Sequence, residues 1–303
     1  MASMFPRFRC LAATLALAAS GCTRGPRTAP APLQTIAKFV SPSDDLNRPV
    51  NLKAPAKRVI VIGPGALETI FALGAGDAVV GRDSVSLFPL RARKIEIAGD
   101  FQGPSVEKCV GLRPDLLILQ GETWDKARAD AWQKQIGVPV AALNATSLNN
   151  LAADFEKLGV WLGQPKAGIA LAKTLENKRG QGQNPAFVEI QRSPLWGAGQ
   201  NTLVDDALRA GGFTNAAASV RGYQPFSLES LLAKQPAIYI VPSAAPREQV
   251  LRDLRASPAL SKLKSVREGR VLVINGDLLL RPGPRLKEGI ETLRAEAKKL
   301  KAP

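Results

Sequence analysis

The sequence predicts an α/β fold made of two similar halves, each arranged around a mostly parallel sheet. Three observations predict it. Short β-branched runs alternate with helix-spaced apolar patterns along the body of the chain. One segment is written twice: PSVEKCVGLRPDLLIL begins at Pro104 and FSLESLLAKQPAIYIV at Phe226. Aligned, they place Glu107 on Glu229, Pro114 on Pro236, and residues 116–119 on residues 238–241. A helix-patterned stretch lies between the two halves.

The chain begins with MASMFPRFRCLAATLALAASGC, a short basic region, an apolar core and small residues before Cys22. The core has the length of an export signal and is too short to span a bilayer comfortably. Small residues directly before a cysteine resemble a bacterial lipoprotein signal. That resemblance implies removal of residues 1–21 and lipidation of Cys22, with an ordinary cleavable signal as the alternative. Cys10 is then discarded and Cys109 is left without a disulfide partner, in an apolar helical stretch that suits a buried thiol. The Pro/Ala/Thr-rich sequence that follows reads as a tether, expected over residues 22–56.

Strands are expected at RVIVIG (58–63), AVVG (78–81), DLLIL (115–119) and VPVAAL (138–143). ALETIFALG, after the Pro64–Gly65 turn, has an apolar helical face and a glycine stop. The first half is thus expected over 57–147. Leu148, Leu151, Phe155, Leu158 and Leu162 are helix-spaced, and a second helix is expected from Pro165 to Lys178, with proline in its permitted first turn. These connecting helices, 148–183, limit how far the halves can swing. The second half, 184–303, repeats the pattern: AFVEI, AIYIV and RVLVING as strands, QRSPLWGAGQ as a loop, and TLVDDALRAGG as a glycine-ended helix.

Composition excludes several classes of function. Histidine is absent, so imidazole serves neither as metal or haem ligand nor as general base, and a Ser-His-Asp mechanism is excluded. GPGALE at 63–68 lacks the third glycine of a dinucleotide fingerprint, and Glu68 would repel a pyrophosphate. The net charge of +15 is scattered rather than clustered, and no zinc-finger, basic-zipper or basic-aromatic RNA motif occurs. We therefore expect no enzyme, no resident cofactor or metal, and no nucleic-acid partner.

The ordered set RVIVIGPGALETIFALGAGDAVVGRDS, GDFQGPSVEKCVGLRPDLLIL, SPLWGAGQNTLVDDALRAGG, FSLESLLAKQPAIYIV and RPGPR resembles the substrate-binding proteins of bacterial ABC importers for cobalamin and ferric siderophores, and most closely the cobalamin branch. The resemblance covers most of 58–298. It implies two Rossmann-like lobes bridged by a long rigid helix, a ligand cleft between them, and no catalysis. It implies that Glu107 and Glu229 dock on arginines of an ABC permease dimer served by a cytoplasmic ATPase. Bidentate guanidinium–carboxylate contacts suit that role. The competing use of both is to offset helix dipoles, with Ser105 and Ser227 as caps. The implied location is the periplasm or outer envelope face, anchored through the N-terminal lipid.

Ligands of open α/β sheets bind beyond the C-terminal strand ends. The loops expected there hold Phe88, Phe101, Trp124, Trp196, Tyr223 and Phe226, much of a set that is only 5% of the chain. Aromatic planes suit a flat corrin. With Gly65, Asp277 and Arg281 they form the expected ligand-binding set. Packing beneath a loop is the competing use of each aromatic, and holding the terminal helix that of Arg281. Glu68 reads as either a charge near the start of its helix or cleft wall. Val85 and Phe88 stand where the cobalamin branch often has tyrosine, and Phe101 where tryptophan is common. The expected ligand is therefore cobalamin or another large metal chelate, with a ferric siderophore or haem as the alternative. Haem would have to use Tyr223 in place of histidine. A structural envelope lipoprotein is the remaining reading.

Overall fold

Both faces of each central strand are buried, and this organises the whole chain. In β1 (Val59–Ile62), Val59 and Val61 enter one apolar cluster while Ile60 and Ile62 enter another. A continuous apolar run is what a parallel strand covered on both sides requires. The computed structural model describes residues 39–100, 102–175 and 182–300. The signal sequence, Cys22 and Phe101 lie outside the described residues.

After β1 come α1 (Pro64–Ala72), β2 (Val79–Asp83), β3 (Ile97–Asp100), β4 (Gly103–Pro104), α2 (Val106–Leu112), β5 (Leu116–Gln120), α3 (Lys126–Ile136) and β6 (Val140–Leu143). The strand order is β4-β3-β2-β1-β5-β6, parallel except for β4. One face is covered by α1 through Leu67 and Ile70, the other by α2 and α3 through Cys109 and Ala129. Burial pushes the Cys109 thiol up to about 11, so it is an inert packing group at neutral pH.

Two helices follow, α4 (Leu148–Trp161) and α5 (Pro165–Lys173). The second ends at Lys173 rather than Lys178, and residues 176–181 lie outside the described residues. α4 straddles both cores. Leu148, Leu151 and Phe155 pack into the second half, whereas Leu158 and Trp161 pack into the first. α5 folds back on α4 where two glycines meet. A Cβ on Gly168 would stand 2.7 Å from the Phe155 carbonyl oxygen, so only glycine permits this approach.

The second half contains β7 (Pro185–Gln191), β8 (Trp196–Ala198), α6 (Leu203–Ala210), β9 (Thr214–Asn215), β10 (Tyr223–Pro225), α7 (Leu228–Lys234), β11 (Ile238–Pro242), α8 (Arg247–Ala256), α9 (Lys264–Arg267), β12 (Val271–Ile274) and α10 (Leu286–Lys299). β7, β11 and β12 form a parallel core equivalent to β1, β5 and β6. The repeat is visible in detail. α2 and α7 both end on a non-glycine residue in the left-handed region, Arg113 at φ 47° and Gln235 at φ 43°, and each is followed by a proline. The edges differ. The place held by β2 beside β1 is shared by β9, parallel to the start of β7, and β8, antiparallel to its end. The segments expected as loops at 191–199 and 222–226 thus contain strands, because β8 and β10 pair with each other.

The expected tether also stops short of residue 56. Asp44, Arg48, Val50 and Ala56 are buried. Arg48 pairs with Asp44 at 2.9 Å and with Asp130 of α3 at 2.8 Å, and Asp44 accepts from the Ala142 amide of β6. Paired charges and the apolar Val50 fasten this stretch to the first half. Its proline-rich composition alone suggested a free chain.

Candidate functional site

The C-terminal ends of β5 and β6 face the second half across a cavity of about 260 Å³. Gly121, Glu122 and residues 143–145 line it from one side, and Ile190, Leu203, Tyr223, Leu280 and Pro282 from the other. Its wall is predominantly apolar. Glu122 and Tyr223 are its ionisable side chains. Burial raises the Glu122 carboxyl from its ordinary value. Burial, and then the nearby Glu122 charge, push the Tyr223 phenol far up.

Beside the cavity, the loop before α10 presses onto the start of α1. Gly65 sits at this contact: a Cβ there would lie 2.2 Å from the Pro282 carbonyl oxygen. Gln120 ties the two sides, accepting from the Ala66 amide at 2.7 Å and donating to the Pro282 carbonyl at 2.9 Å. Glu68 is 3% exposed and is gripped by Arg285, Nε to Oε2 at 2.8 Å and Nη2 to Oε1 at 2.5 Å. Arg281 adds a contact to Glu68 at 3.7 Å and one to Asp277 at 2.8 Å. Arg285 also reaches Asp277 at 3.3 Å, and its guanidinium lies 4.2 Å from the Phe88 ring centroid.

These positions sort the expected ligand-binding set. Tyr223 lines the cavity. Phe88, 44% exposed, does not line the cavity, and its ring stacks on Arg285. Trp196 is half-buried on β8, one strand from Tyr223, but does not line the cavity. Three other expected residues sit away from the open cavity wall. Trp124 is 3% exposed and packs in the core of the first half, with Arg128 4.7 Å above its ring. Phe226 is 5% exposed and its ring lies 5.3 Å from that of Phe187. In both cases the apolar core competes successfully for a large ring carried at a loop end. Gly65 serves the close approach of the Pro282 loop rather than an open ligand surface. Asp277 and Arg281 are near the cavity but engaged with each other. Glu122, Gln120 and Arg285 were missed. Their signal is faint, since a polar residue after a strand is ordinary and only the quoted RPGPR marked Arg285.

Glu107 and Glu229 are both exposed, each in the first turn of its helix. Ser227 caps the Ser230 amide, but Ser105, expected to do likewise, makes no side-chain cap bond. Among the described residues no group of three acidic, cysteine or histidine side chains is placed to hold a metal ion, and no helix is long and apolar enough to cross a membrane.

The profile of the periplasmic binding protein family matches residues 59–278. An uncharacterised ABC transporter substrate-binding lipoprotein, YvrC of Bacillus subtilis, is 28% identical over 93% of each chain. A vitamin B12-binding protein of Salmonella paratyphi A is 30% identical over 80% of this chain and 90% of its own. The solved periplasmic haem-binding protein RhuT of Roseiflexus sp. RS-1 superposes with a TM-score of 0.66 at 26% identity, covering 82% of this chain and all of its own.

Proposed function

The chain belongs to the periplasmic binding protein family, whose members are non-enzymatic transport components, and from that premise we propose that it captures a corrinoid outside the cytoplasm and delivers it to an ABC permease. The observation that carries the corrinoid reading is the largely apolar character of the cleft. The chain carries +15 overall, yet both arginines beside the cleft face carboxylates. Such a surface suits a large ligand with little net charge better than a polyanionic ferric siderophore. The vitamin B12-binding relative supports the same choice.

Size requires more than the cavity. At about 260 Å³ it falls below the roughly 300–1,000 Å³ of pockets for drug-sized ligands. A corrin therefore lies over its mouth against Tyr223 and Phe88 and sends only a peripheral group inside. Haem is the second reading, favoured by the haem-binding structural relative and by Tyr223 in the wall. Its weakness is chemical, because iron ligation needs a phenolate that burial and Glu122 both oppose.

Glu107 and Glu229 serve as the two permease contacts in this reading, and Cys22 as the lipid anchor. Titration of the full chain with cyanocobalamin, dicyanocobinamide, haem and a set of ferric siderophores, read by tryptophan fluorescence, tests the ligand. Saturable quenching by the corrinoids at the lowest concentration is expected. Tightest quenching by haem or a siderophore replaces the corrinoid reading, and no quenching by any of them leaves the structural lipoprotein.

A further inference from the structure

The cluster formed by Glu68, Asp277, Arg281 and Arg285 balances two cations with two anions at the edge of the cavity. Arg281 stands between Leu280 and Pro282, both of which line that cavity. Its guanidinium is nevertheless turned to Asp277 at 2.8 Å and lies within 3.7 Å of Glu68. Arg285 is committed to Glu68 through two short bonds and is covered on one side by Phe88. Glu68 and Asp277 each face both arginines, and Glu68 is the most buried of the four.

We infer that Glu68 is a specificity-determining residue: an internal counter-anion that occupies the two cleft arginines and so excludes anionic ligands from the site. The inference rests on reading this cleft as the ligand site. A bystander role, merely fastening one half to the other, would need only the Glu68–Arg285 pair. The additional approach of Arg281 and the second carboxylate on both arginines set two negative charges against the two guanidiniums, which oppose an incoming carboxylate or phosphate. Loss of the Glu68 charge leaves two arginines sharing Asp277, a net change of one positive charge beside an apolar cavity. There a charge acts more strongly than in water. The positioning is local to α1 and the loop before α10, so the apolar wall formed by Tyr223 and Leu203 is untouched.

Glu68→Gln in the full chain tests this, with citrate as the anionic probe and cyanocobalamin as the neutral one. Citrate-dependent thermal stabilisation reports the first and tryptophan quenching the second. The expected result is citrate binding tighter than in the unsubstituted protein by on the order of tenfold, while cyanocobalamin affinity changes far less. Adding Arg285→Gln to Glu68→Gln restores the charge balance and should abolish the citrate gain. A purely fastening role would not be rescued in this way. Asp277→Asn makes the same charge change at the more exposed end of the cluster, and should raise citrate affinity in the same direction if Glu68→Gln folds poorly.

Equal weakening of both probes, or a citrate gain that survives Arg285→Gln, overturns the counter-anion role. Absence of any citrate gain in both Glu68→Gln and Asp277→Asn overturns it as well. The cargo reading fails separately. If cyanocobalamin does not bind any variant but the citrate pattern holds, the corrinoid assignment falls and the counter-anion stands.

Discussion

Two aromatic residues only three positions apart separate ligand chemistry from core chemistry. Tyr223 lines the cavity, whereas Phe226 is packed on Phe187. Tyr223→Ala removes cleft surface and is expected to weaken corrinoid binding by about 1.5–3 kcal/mol, with a smaller loss of stability than Phe226→Ala because Tyr223 is only partly packed on the core. Phe226→Ala removes a buried ring and is expected to cost about 3–5 kcal/mol of stability while leaving affinity per folded molecule near its original value. Paired fluorescence titrations and chemical denaturation check both, and affinity loss at Phe226 rather than Tyr223 would reverse the assignment. Sequence placed both residues at the mouth of a cleft. It could not tell them apart, because Tyr223 opens the three-residue strand β10 and Phe226 follows its end, a stretch too short to show an alternation in sequence.

Among the elements, α4 carries the most consequential buried charge. Asp154 is 1% exposed, its carboxylate oxygens have no hydrogen-bond partner, and Lys157 approaches only to 3.6 Å. Burial, and then the charge of Asp45, raise its affinity for a proton well above the ordinary carboxylate range. The folded state therefore binds a proton that the unfolded state releases near pH 4. Below that pH both states are protonated and Asp154 contributes no pH dependence. Above it, stability falls as pH rises toward the raised folded value. Asp154→Asn mimics the protonated form and is expected to flatten this fall. It should gain on the order of 1 kcal/mol at pH 7 and almost nothing at pH 4. Denaturation curves at the two pH values check it, and an unchanged difference between them would show that Asp154 is not the group responsible. The helix itself was legible from Leu148, Leu151, Phe155 and Leu158. Its division between two cores was not, because helical spacing reports burial and says nothing about the partner.

For the whole molecule, the repeat supplies one exposed carboxylate per half, at matching positions in α2 and α7. In the proposed role both must meet the permease together, so either Glu107→Lys or Glu229→Lys should impair uptake and the double substitution should abolish it. Both side chains are exposed and neither lines the cavity, so ligand affinity of the purified protein is expected to stay within about twofold. Uptake in cells and titration of the purified chain together distinguish docking from a role in the pocket. A parallel loss of affinity would assign these residues to the ligand site instead.

What the sequence determined by itself was the two-part α/β plan, the duplicated α2–β5 and α7–β11 units, and the buried strands at their centres. Strand burial on both faces writes itself as an unbroken apolar run, and helical burial as a 3.6-residue period, so both are local signals. Tertiary structure alone decided the edges and the cleft. β9 and β4 are two residues each, too short to carry a period. Glu68 meets Arg285 across 217 positions of chain. Whether a charged side chain meets a counter-ion, a ligand or water depends on which distant loop arrives beside it, and no local pattern encodes that arrival.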